Sequence, residues 1–287
     1  MTDFSGLYVA TLTPIDASDR LDFGVIRSHT DFLIKGGVAG LCPAGTTGEM
    51  LYLSIGEKVR LIEETVRSAG GRVKVVAGVW ALREKEVGLL SRAARAAGAD
   101  AVFLPPPIYY PADDEVIYRW YAAVKEAAAL PVFAYNIPSY AANAISIPCI
   151  ERMVTDGVIA GIKDSTGKAD QMIQLVSNFA ERINVEAASD AFVTEARKLG
   201  AHGFISALAN IWPKAFVKLW GGDESLQPAV DAARKAVKQA GGIPALKYLA
   251  SKQGFAFGNA RVPSTTLHQE QRESLDSAFA AMQSNEA

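Results

Sequence analysis

Short apolar runs alternate with longer amphipathic stretches along almost the whole chain. The runs are rich in Val, Ile, Ala and Phe and show no regular polar alternation, which is typical of parallel strands covered on both faces. Eight of them are predicted as strands: Gly6–Leu12, Gly40–Ala44, Val73–Gly78, Ala101–Leu104, Leu130–Tyr135, Val158–Lys163, Ile183–Ala188 and Gly203–Ser206. A helical pattern follows each run, so the chain is predicted to consist of eight βα units.

The stretches between the runs carry the signals with which helices begin and end. Ser54 and Glu57 have the spacing of a capping box, and Gly98 follows a helical pattern as a C-terminal stop would. The predicted helices span Asp22–Lys35, Ser54–Ser68, Lys85–Ala97, Asp113–Ala129, Ile147–Val154, Lys168–Phe179, Ala191–Leu199 and Pro213–Trp220. Eight units of roughly thirty residues each fit a closed (β/α)8 TIM barrel, an α/β fold, better than an open sheet. An open dinucleotide-binding sheet would show a glycine-rich turn after its first strand, and the sequence TLTPID has none.

The part of the chain beyond the eighth unit reads as a helical appendage. Helical patterns occupy Leu226–Gln239 and Ile243–Lys252, and a last helix begins at about Gln269. We therefore predict a barrel over residues 1–222 and a C-terminal helical extension of the same domain over residues 223–287.

Composition narrows the class of protein. With 49% hydrophobic residues among 287, the chain can bury a large core, and its net charge of -2 does not indicate nucleic acid or an anionic membrane as a partner. Its two cysteines and three scattered histidines suggest neither a disulfide framework nor a metal site. No signal peptide or membrane-spanning run is recognisable, so we expect a cytoplasmic protein that uses no metal and no cofactor.

Lysine is an unusual residue for a buried strand, and the run Val158–Lys163 ends on one. Desolvating an ammonium costs free energy unless the group is paired or neutral. At a strand end, the Lys163 amine would face a partly dry pocket in which the neutral form can attack a carbonyl carbon. The alternative is that its stem packs on the strand while the amine reaches water.

Other polar residues follow the neighbouring predicted strands, and the strand ends of a TIM barrel converge on its mouth. The second strand leads into Gly45–Glu49 (GTTGE), where two glycines allow a tight turn whose N–H groups and hydroxyls can hold a carboxylate. The fourth strand leads to Tyr110, and the fifth ends at Tyr135, which could equally be a core residue. The seventh is followed by Ser189 and by Asp190, which could instead cap the next helix.

Together these groups suit the processing of a 2-keto acid. An amine adds to the keto carbon and loses water to give an iminium, which then acts as an electron sink. A phenol moves protons to and from the substrate oxygen, while the turn fixes the carboxylate. The pattern therefore predicts imine chemistry that needs no metal.

Three motifs in this order resemble a known family. PAGTTGE at Pro43–Glu49, YNIP at Tyr135–Pro138 and GIKDSTG at Gly161–Gly167 are similar to those of the dihydrodipicolinate synthase / N-acetylneuraminate lyase family of class I, Schiff-base aldolases. The similarity extends to GAHGFIS at Gly200–Ser206 and to the IPALK helix start at Ile243. It implies a TIM barrel that binds pyruvate covalently.

The resemblance also implies a role for each matching residue. Lys163 would form the imine with pyruvate, and Tyr135 would be the acid/base residue near the bond that is made or broken. Thr46 would relay protons. Thr47 would hold the pyruvate carboxylate with help from the backbone at Gly45.

Two further matches concern the surroundings of the pyruvate. Ile205 matches a residue that packs near it. Tyr110 matches the tyrosine that family members insert into a neighbouring subunit's site, which implies a homo-oligomer, a tetramer or a dimer.

Departures from the family pattern bear on the second substrate. Synthases that act on aspartate semialdehyde carry an arginine shortly after the YNxP turn, and the matching residue here is Tyr140, which cannot form a bidentate charged pair with a carboxylate. Ala188 stands where the family commonly has glycine and narrows that side of the mouth. Neuraminate lyases usually have Ser-Thr in the first motif, where this chain has Thr46-Thr47.

The leading prediction is therefore a reversible lyase that cleaves a 2-keto-3-deoxy sugar acid, or a related hydroxy-keto acid, to pyruvate and an aldehyde. Ser189, Asp190 and Tyr140 are the candidates for selecting the aldehyde. Two alternatives use the same imine: 4-hydroxy-tetrahydrodipicolinate synthase, which condenses pyruvate with aspartate semialdehyde, and a keto-acid dehydratase or deaminase. A non-catalytic barrel that binds keto acids is a further alternative, against which the presence of both Lys163 and Tyr135 argues.

Overall fold

Eight parallel strands form the centre of the molecule, for which the computed structural model describes residues 2–264 and 266–286. They are β1 (Gly6–Ala10), β2 (Gly40–Cys42), β3 (Lys74–Gly78), β4 (Ala101–Leu104), β5 (Val132–Asn136), β6 (Gly161–Asp164), β7 (Asn184–Ala188) and β8 (Gly203–Ser206). The strands pair in chain order, and β1 also pairs with β8, so that the sheet closes into a barrel. This confirms the predicted (β/α)8 TIM barrel.

At least one helix follows each strand, and three more helices follow the barrel. The helices are α1 (Phe23–Lys35), α2 (Ile55–Ala69), α3 (Glu84–Ala97), α4 (Asp114–Ala128), α5 (Pro138–Ala141), α6 (Ile147–Thr155), α7 (Ala169–Phe179), α8 (Val193–Lys198), α9 (Pro213–Trp220), α10 (Gln227–Gln239), α11 (Ile243–Lys252) and α12 (Gln269–Gln283). The predicted capping box is present at α2, where the Ser54 and Glu57 side chains each accept the other's backbone N–H. The Asp22 side chain caps α1 in the same way by accepting the N–H of Val25.

Some boundaries differ from the prediction. The sixth strand begins at Gly161, not at Val158, and it continues past the lysine to Asp164. The short helix α5 was not predicted; it begins at Pro138, whose missing N–H costs nothing in a first helical turn. The helix predicted over Ala191–Leu199 is divided into a 3-10 turn, Asp190–Phe192, and α8.

The side chains of the strands form two separate cores. Residues that point outward pack against the helices. Residues that point inward, among them Tyr8, Phe103, Phe133 and Ile205, fill the barrel itself. Phe4 closes the N-terminal end of the barrel, with its ring 5.0 Å from that of Phe133 in an edge-to-face arrangement. The interior is therefore a packed core that can open to solvent only at the other end.

The C-terminal helices are joined to the barrel mouth. Lys247, on α11, forms a buried ion pair of 2.7 Å with Glu49, which directly follows the turn after β2. The division between residues 1–222 and 223–287 stays a prediction. Among the described residues, no helix combines the length and the apolar character needed to cross a membrane.

Candidate active site

Lys163 lies on β6 with its side chain inside the barrel, where it is 4% exposed. Its Nζ lies 3.8 Å from the centroid of the Tyr135 ring and 5.5 Å from that of the Phe103 ring. Within the described residues, Lys163 forms no ion pair with a carboxylate, although several other lysines do. The amine therefore faces a largely dry, aromatic interior and not bulk water.

Tyr135 is the neighbour of Lys163 across the β5–β6 register. Its Oη lies 3.4 Å from Oγ1 of Thr46. From the outer side, the hydroxyl of Tyr121 donates to the carbonyl of Leu104 at 2.9 Å and accepts the backbone N–H of Tyr135 at 3.4 Å. The phenol and the threonine hydroxyl thus stand next to each other above the amine, in a position to pass a proton.

The turn over residues 45–48 is supported from beneath. Thr13 donates its hydroxyl to the last carbonyl of the turn at 2.8 Å. Gly45 approaches the Phe103 ring so closely that a Cβ would lie 2.9 Å from it. The backbone N–H groups of Thr46 and Thr47 have no acceptor within the described part of the chain. Two free N–H groups beside two hydroxyls can bind a carboxylate.

Glu49 fastens this turn to the C-terminal helices. Its backbone is left-handed, with φ of 59°, and its side chain is 1% exposed. The carboxylate pairs with Lys247 and also accepts the N–H groups of Arg261 (2.5 Å) and Val262 (2.9 Å). Lys247 donates in addition to the carbonyl of Asn259 at 2.9 Å. Burial lowers the pKa of Lys247, and the Glu49 charge opposes that change.

The ends of β5 and β6 are held together by a second group that sequence reasoning missed. The Asn136 amide donates to Asp164 Oδ1 at 2.7 Å, and its carbonyl oxygen accepts the N–H of Ile145 at 3.2 Å. Asp164 also accepts hydrogen bonds from the N–H and the hydroxyl of Thr166. Burial raises the pKa of Asp164, while these hydrogen bonds lower it. Because Asn136 and Asp164 directly follow Tyr135 and Lys163, their bond fixes the relative position of the phenol and the amine.

A cavity of about 550 Å³ opens beside Thr46, Thr47 and Tyr135, whereas Lys163 lies against the Tyr135 ring and lines a separate small cavity within the barrel. Its lining is mostly apolar and is contributed by the β2, β4 and β5 loops, by α11 and by the segment before the last helix. The lining residues are Thr46, Thr47, Glu49, Met50, Leu51, Tyr52, Pro105, Ile108, Tyr135, Ile137, Tyr140, Ala141, Gly241, Gly242, Ile243, Leu246, Val262 and Pro263. Glu49 is the only charged residue of this lining, and its carboxylate is engaged by Lys247.

The remaining predicted site residues are distributed over the wall and the surface. Ala188 and Ile205 face each other in the β7–β8 register and are both buried. Ser189 is half-buried with φ of 93°. Tyr140 lies at the cavity rim and is 74% exposed, and Tyr110 is 75% exposed with its ring against that of Tyr109.

Asp190 is buried, and its carboxylate is bonded to the β8 loop. Its carboxylate accepts hydrogen bonds from the Ser206 hydroxyl at 2.6 Å and from the N–H of Leu208 at 3.2 Å, so it fastens the β8 loop and does not cap the helix that follows it. Burial raises its pKa, and these two hydrogen bonds lower it. Of the predicted site residues, Thr46, Thr47, Tyr135 and Tyr140 line the cavity, and Asp190 does not.

The geometry brings together an amine, a phenol, a hydroxyl and an anion-binding turn. This set can form an imine with a keto acid, hold its carboxylate and move a proton at the neighbouring oxygen. Within residues 2–264 and 266–286, no group of three or more His, Cys, Asp and Glu side chains is arranged to hold a metal ion.

A family model and two relatives match nearly the whole chain. The model of the "Dihydrodipicolinate synthetase family" matches residues 3–282. A 4-hydroxy-tetrahydrodipicolinate synthase of a Psychrobacter species is 32% identical, over 98% of this chain and 95% of the relative. An uncharacterized DapA-like lyase of Halobacterium salinarum is 30% identical, over 96% of this chain and 93% of the relative.

Solved structures share the fold over nearly the full chain. The dihydrodipicolinate synthase DapA-2 of Bacillus anthracis superposes with a TM-score of 0.92 at 27% identity, covering 98% of this chain and 99% of its own. The sialic acid aldolase of Ruminococcus gnavus superposes with a TM-score of 0.91 at 22% identity, covering 98% of each chain. At that identity the second likeness concerns the fold alone.

Proposed function

Because the chain belongs to the dihydrodipicolinate synthetase family, whose members are class I lyases and aldolases, we propose that it reversibly cleaves a 4-hydroxy-2-keto acid to pyruvate and an aldehyde. The substrate class that we favour is a 2-keto-3-deoxy sugar acid or a related acid with an uncharged tail. The observation that carries the proposal is the position of Lys163 Nζ, 3.8 Å from the Tyr135 ring and inside the barrel.

In the cleavage direction, the Lys163 amine attacks the keto carbon, and the adduct loses water to give an iminium. The free N–H groups and hydroxyls of Thr46 and Thr47 hold the carboxylate. Tyr135 takes the proton of the C4 hydroxyl as it passes its own hydroxyl proton to Thr46, 3.4 Å away, and the Thr46 hydroxyl releases a proton to solvent. As the C3–C4 bond breaks, C4 leaves as the aldehyde, and the electron pair of the broken bond passes toward the iminium to give an enamine. Protonation of C3 and hydrolysis then release pyruvate.

An uncharged tail is favoured by the lining of the mouth. The position at which related synthases carry an arginine is Tyr140, and the described lining residues include no cation. A second carboxylate would therefore enter the cavity without a charged partner, and a phenol cannot replace a guanidinium as a bidentate donor.

A second candidate is 4-hydroxy-tetrahydrodipicolinate synthase. The name of the Psychrobacter relative, at 32% identity over 98% of this chain, supports it. The same imine with pyruvate would then react with aspartate semialdehyde. A coupled assay with these two substrates separates the candidates, because efficient turnover would contradict the argument from Tyr140. Product analysis likewise separates cleavage from dehydration or deamination, since only cleavage yields pyruvate and an aldehyde.

The experiment that tests the imine is borohydride reduction in the presence of pyruvate, followed by peptide mass mapping. We expect the reduced adduct on Lys163 and its absence after the substitution Lys163→Met. Lys58 is a matched control in the same digest. It is also buried, and burial lowers its pKa to about 8. Its Nζ donates to the carbonyl of Trp80, and neither residue lines the cavity. An adduct on Lys58 or on another lysine would overturn the proposal.

The assembly of the enzyme is part of the proposal. Tyr110 is 75% exposed in the single chain and lies outside the cavity lining. We propose that it completes the site of a neighbouring copy in a homo-oligomer. Size-exclusion chromatography with light scattering tests the assembly.

A further inference from the structure

Glu186 is a buried carboxyl group for which the imine mechanism gives no reason. It lies on β7, opposite Lys163 in the β6–β7 register, and is 1% exposed. Within the described residues, neither of its carboxylate oxygens has a hydrogen-bond partner. A buried polar group without a partner costs free energy, so such groups are rare unless they serve a purpose.

The barrel interior provides space for this side chain. Gly203, on the neighbouring strand β8, has no Cβ, and one placed there would lie 2.1 Å from Glu186 Oε2. Glu186 and Lys163 line the same small cavity, which Phe4 and Tyr8 also line from the closed end of the barrel. The cavity measures about 10 Å³, close to the least that can hold one water molecule. The two groups therefore share one cavity with room for at most about one water molecule.

Few other titratable groups lie near Glu186. Besides Lys163 on β6, the titratable groups that act on Glu186 or share its surroundings are Tyr8 on β1, Cys42 on β2 and Asp3 ahead of β1. Burial, with a smaller contribution from Asp3, raises the pKa of Glu186 well above its usual range. Burial also raises the pKa of Tyr8, and it raises that of Cys42 to about 12. At neutral pH, Tyr8 and Cys42 therefore carry no charge, and burial favours the uncharged acid form of Glu186.

We propose that Glu186 is a positioning residue that acts through Lys163: it supplies the proton consumed when the imine forms, and its carboxylate becomes the counter-charge of the iminium. The inference rests on the proposed function. The reaction balances without an outside proton. A neutral amine, a ketone and a carboxylic acid give an iminium cation, a carboxylate anion and water. Hydrolysis of the imine returns the proton to Glu186.

The physical advantage is that the net charge of the interior does not change when the imine forms, because the iminium cation and the Glu186 carboxylate appear together. The turn over residues 45–48 would hold the substrate carboxylate, so Glu186 would supply a second anion from β7, and a pair of opposite charges costs less free energy in a dry barrel than a lone cation. A neutral acid avoids an unpaired anion in the resting enzyme and becomes an anion only when the cation is present. An acid that is in place before the reaction begins can supply this charge without reorganisation of solvent, which is effective where water is excluded.

The test compares wild type with Glu186→Gln, which has nearly the same shape and, like the resting acid, no charge. Imine formation is measured by rapid mixing with pyruvate and quenching with borohydride at several values between about pH 7 and about pH 9. We expect the variant to fold with wild-type thermal stability near neutral pH or better, and to form the imine on the order of a hundredfold more slowly. Because the variant must take its proton from solvent, the ratio of wild-type to variant rates should rise roughly tenfold per pH unit.

The outcomes separate this inference from its premise. Equal rates and parallel pH profiles in the two proteins, with the adduct on Lys163, overturn the role of Glu186 and leave the proposed function standing. No adduct in wild type overturns both. Glu186→Asp keeps the acid on a shorter chain, so it should be slower than wild type but should keep a constant ratio to it across pH. If both variants lose the wild-type thermal transition, Glu186 is a structural residue and the inference is wrong.

Discussion

The molecule buries two glutamates near its chemistry, and it surrounds them in opposite ways. Glu49, at the rim, has its carboxylate paired with Lys247 and bonded to two backbone N–H groups. Glu186, inside the barrel, has no partner for either oxygen among the described residues. The lysines beside these two glutamates differ in the same way. Lys247 forms an ion pair, whereas Lys163 lies against aromatic rings.

The difference between the two glutamates distinguishes a structural role from a role in a reaction. An ion pair whose carboxylate also accepts two backbone N–H groups holds two parts of the chain in place and has no reason to change its protonation state. An acid and an amine that share a cavity without an ion pair can exchange a proton when a substrate changes the charge of one of them. The rim pair therefore positions the turn over residues 45–48, whereas the interior pair is the one that we propose takes part in the reaction.

The largest effect on stability is expected from breaking the rim pair. Lys247→Met leaves the Glu49 carboxylate buried without its cation, which should lower the free energy of unfolding by about 3–5 kcal/mol. The KM for pyruvate should also rise, because residues 45–48 lose their support. Urea titration and steady-state kinetics measure the two effects.

A lysine on the same helix provides the control. Lys252 pairs with Asp276 at 2.9 Å, but its side chain is 39% exposed, so Lys252→Met should cost no more than about 1 kcal/mol. Equal losses in the two variants would mean that the buried pair contributes no more than a surface one.

A smaller effect concerns the interior acid and depends on pH. The folded pKa of Glu186 is raised above its unfolded value, so the folded state keeps a proton that the unfolded state releases. The stability contributed by this group is complete below the unfolded pKa of about 4.3 and is lost as the pH rises toward the folded pKa. In that window, wild type should lose about 1.4 kcal/mol per pH unit relative to Glu186→Gln. Urea titrations of both proteins at about pH 5, 6 and 7 check this; a constant difference would show that the acid ionises alike in both states.

The smallest effect is expected at the exposed rim. Tyr140→Arg places a cation where the structure has a phenol, and it should raise kcat/KM for a carboxylate-bearing aldehyde such as aspartate semialdehyde by about tenfold. Cleavage of substrates with neutral tails should change by no more than about twofold. Tyr140→Gln is the uncharged control. If it has the same effect as arginine, the gain comes from removing the ring and not from charge.

The sequence predicted which segments form strands better than it predicted where those strands begin and end. Continuous apolar runs predicted all eight strands, because strands covered by helices outside and side chains inside need apolar residues on both faces. The start of β6 was placed three residues early, since Val158 and Ile159 are as apolar as the strand itself but pack beside the end of α6. The helix α5 has too few residues to show a period.

The site divides in the same manner. The sequence shows a lysine, a tyrosine and a glycine-rich turn at the ends of predicted strands (Lys163, Tyr135 and Gly45–Gly48). These are sufficient for the imine hypothesis. The bond between Asn136 and Asp164 and the pairing of Glu49 with Lys247 are not readable there, because each depends on elements that meet only after the barrel closes.

The sequence by itself determined the fold, the family and the presence of an amine and a phenol near the ends of two predicted strands, since these follow from local patterns and short motifs. Tertiary structure alone decided the environment of each charged group. Lys163 and Glu186 are both polar residues in apolar runs, and only the closed barrel places them in one cavity. Whether a buried charge is paired depends on distances across the sheet, which a one-dimensional pattern does not contain.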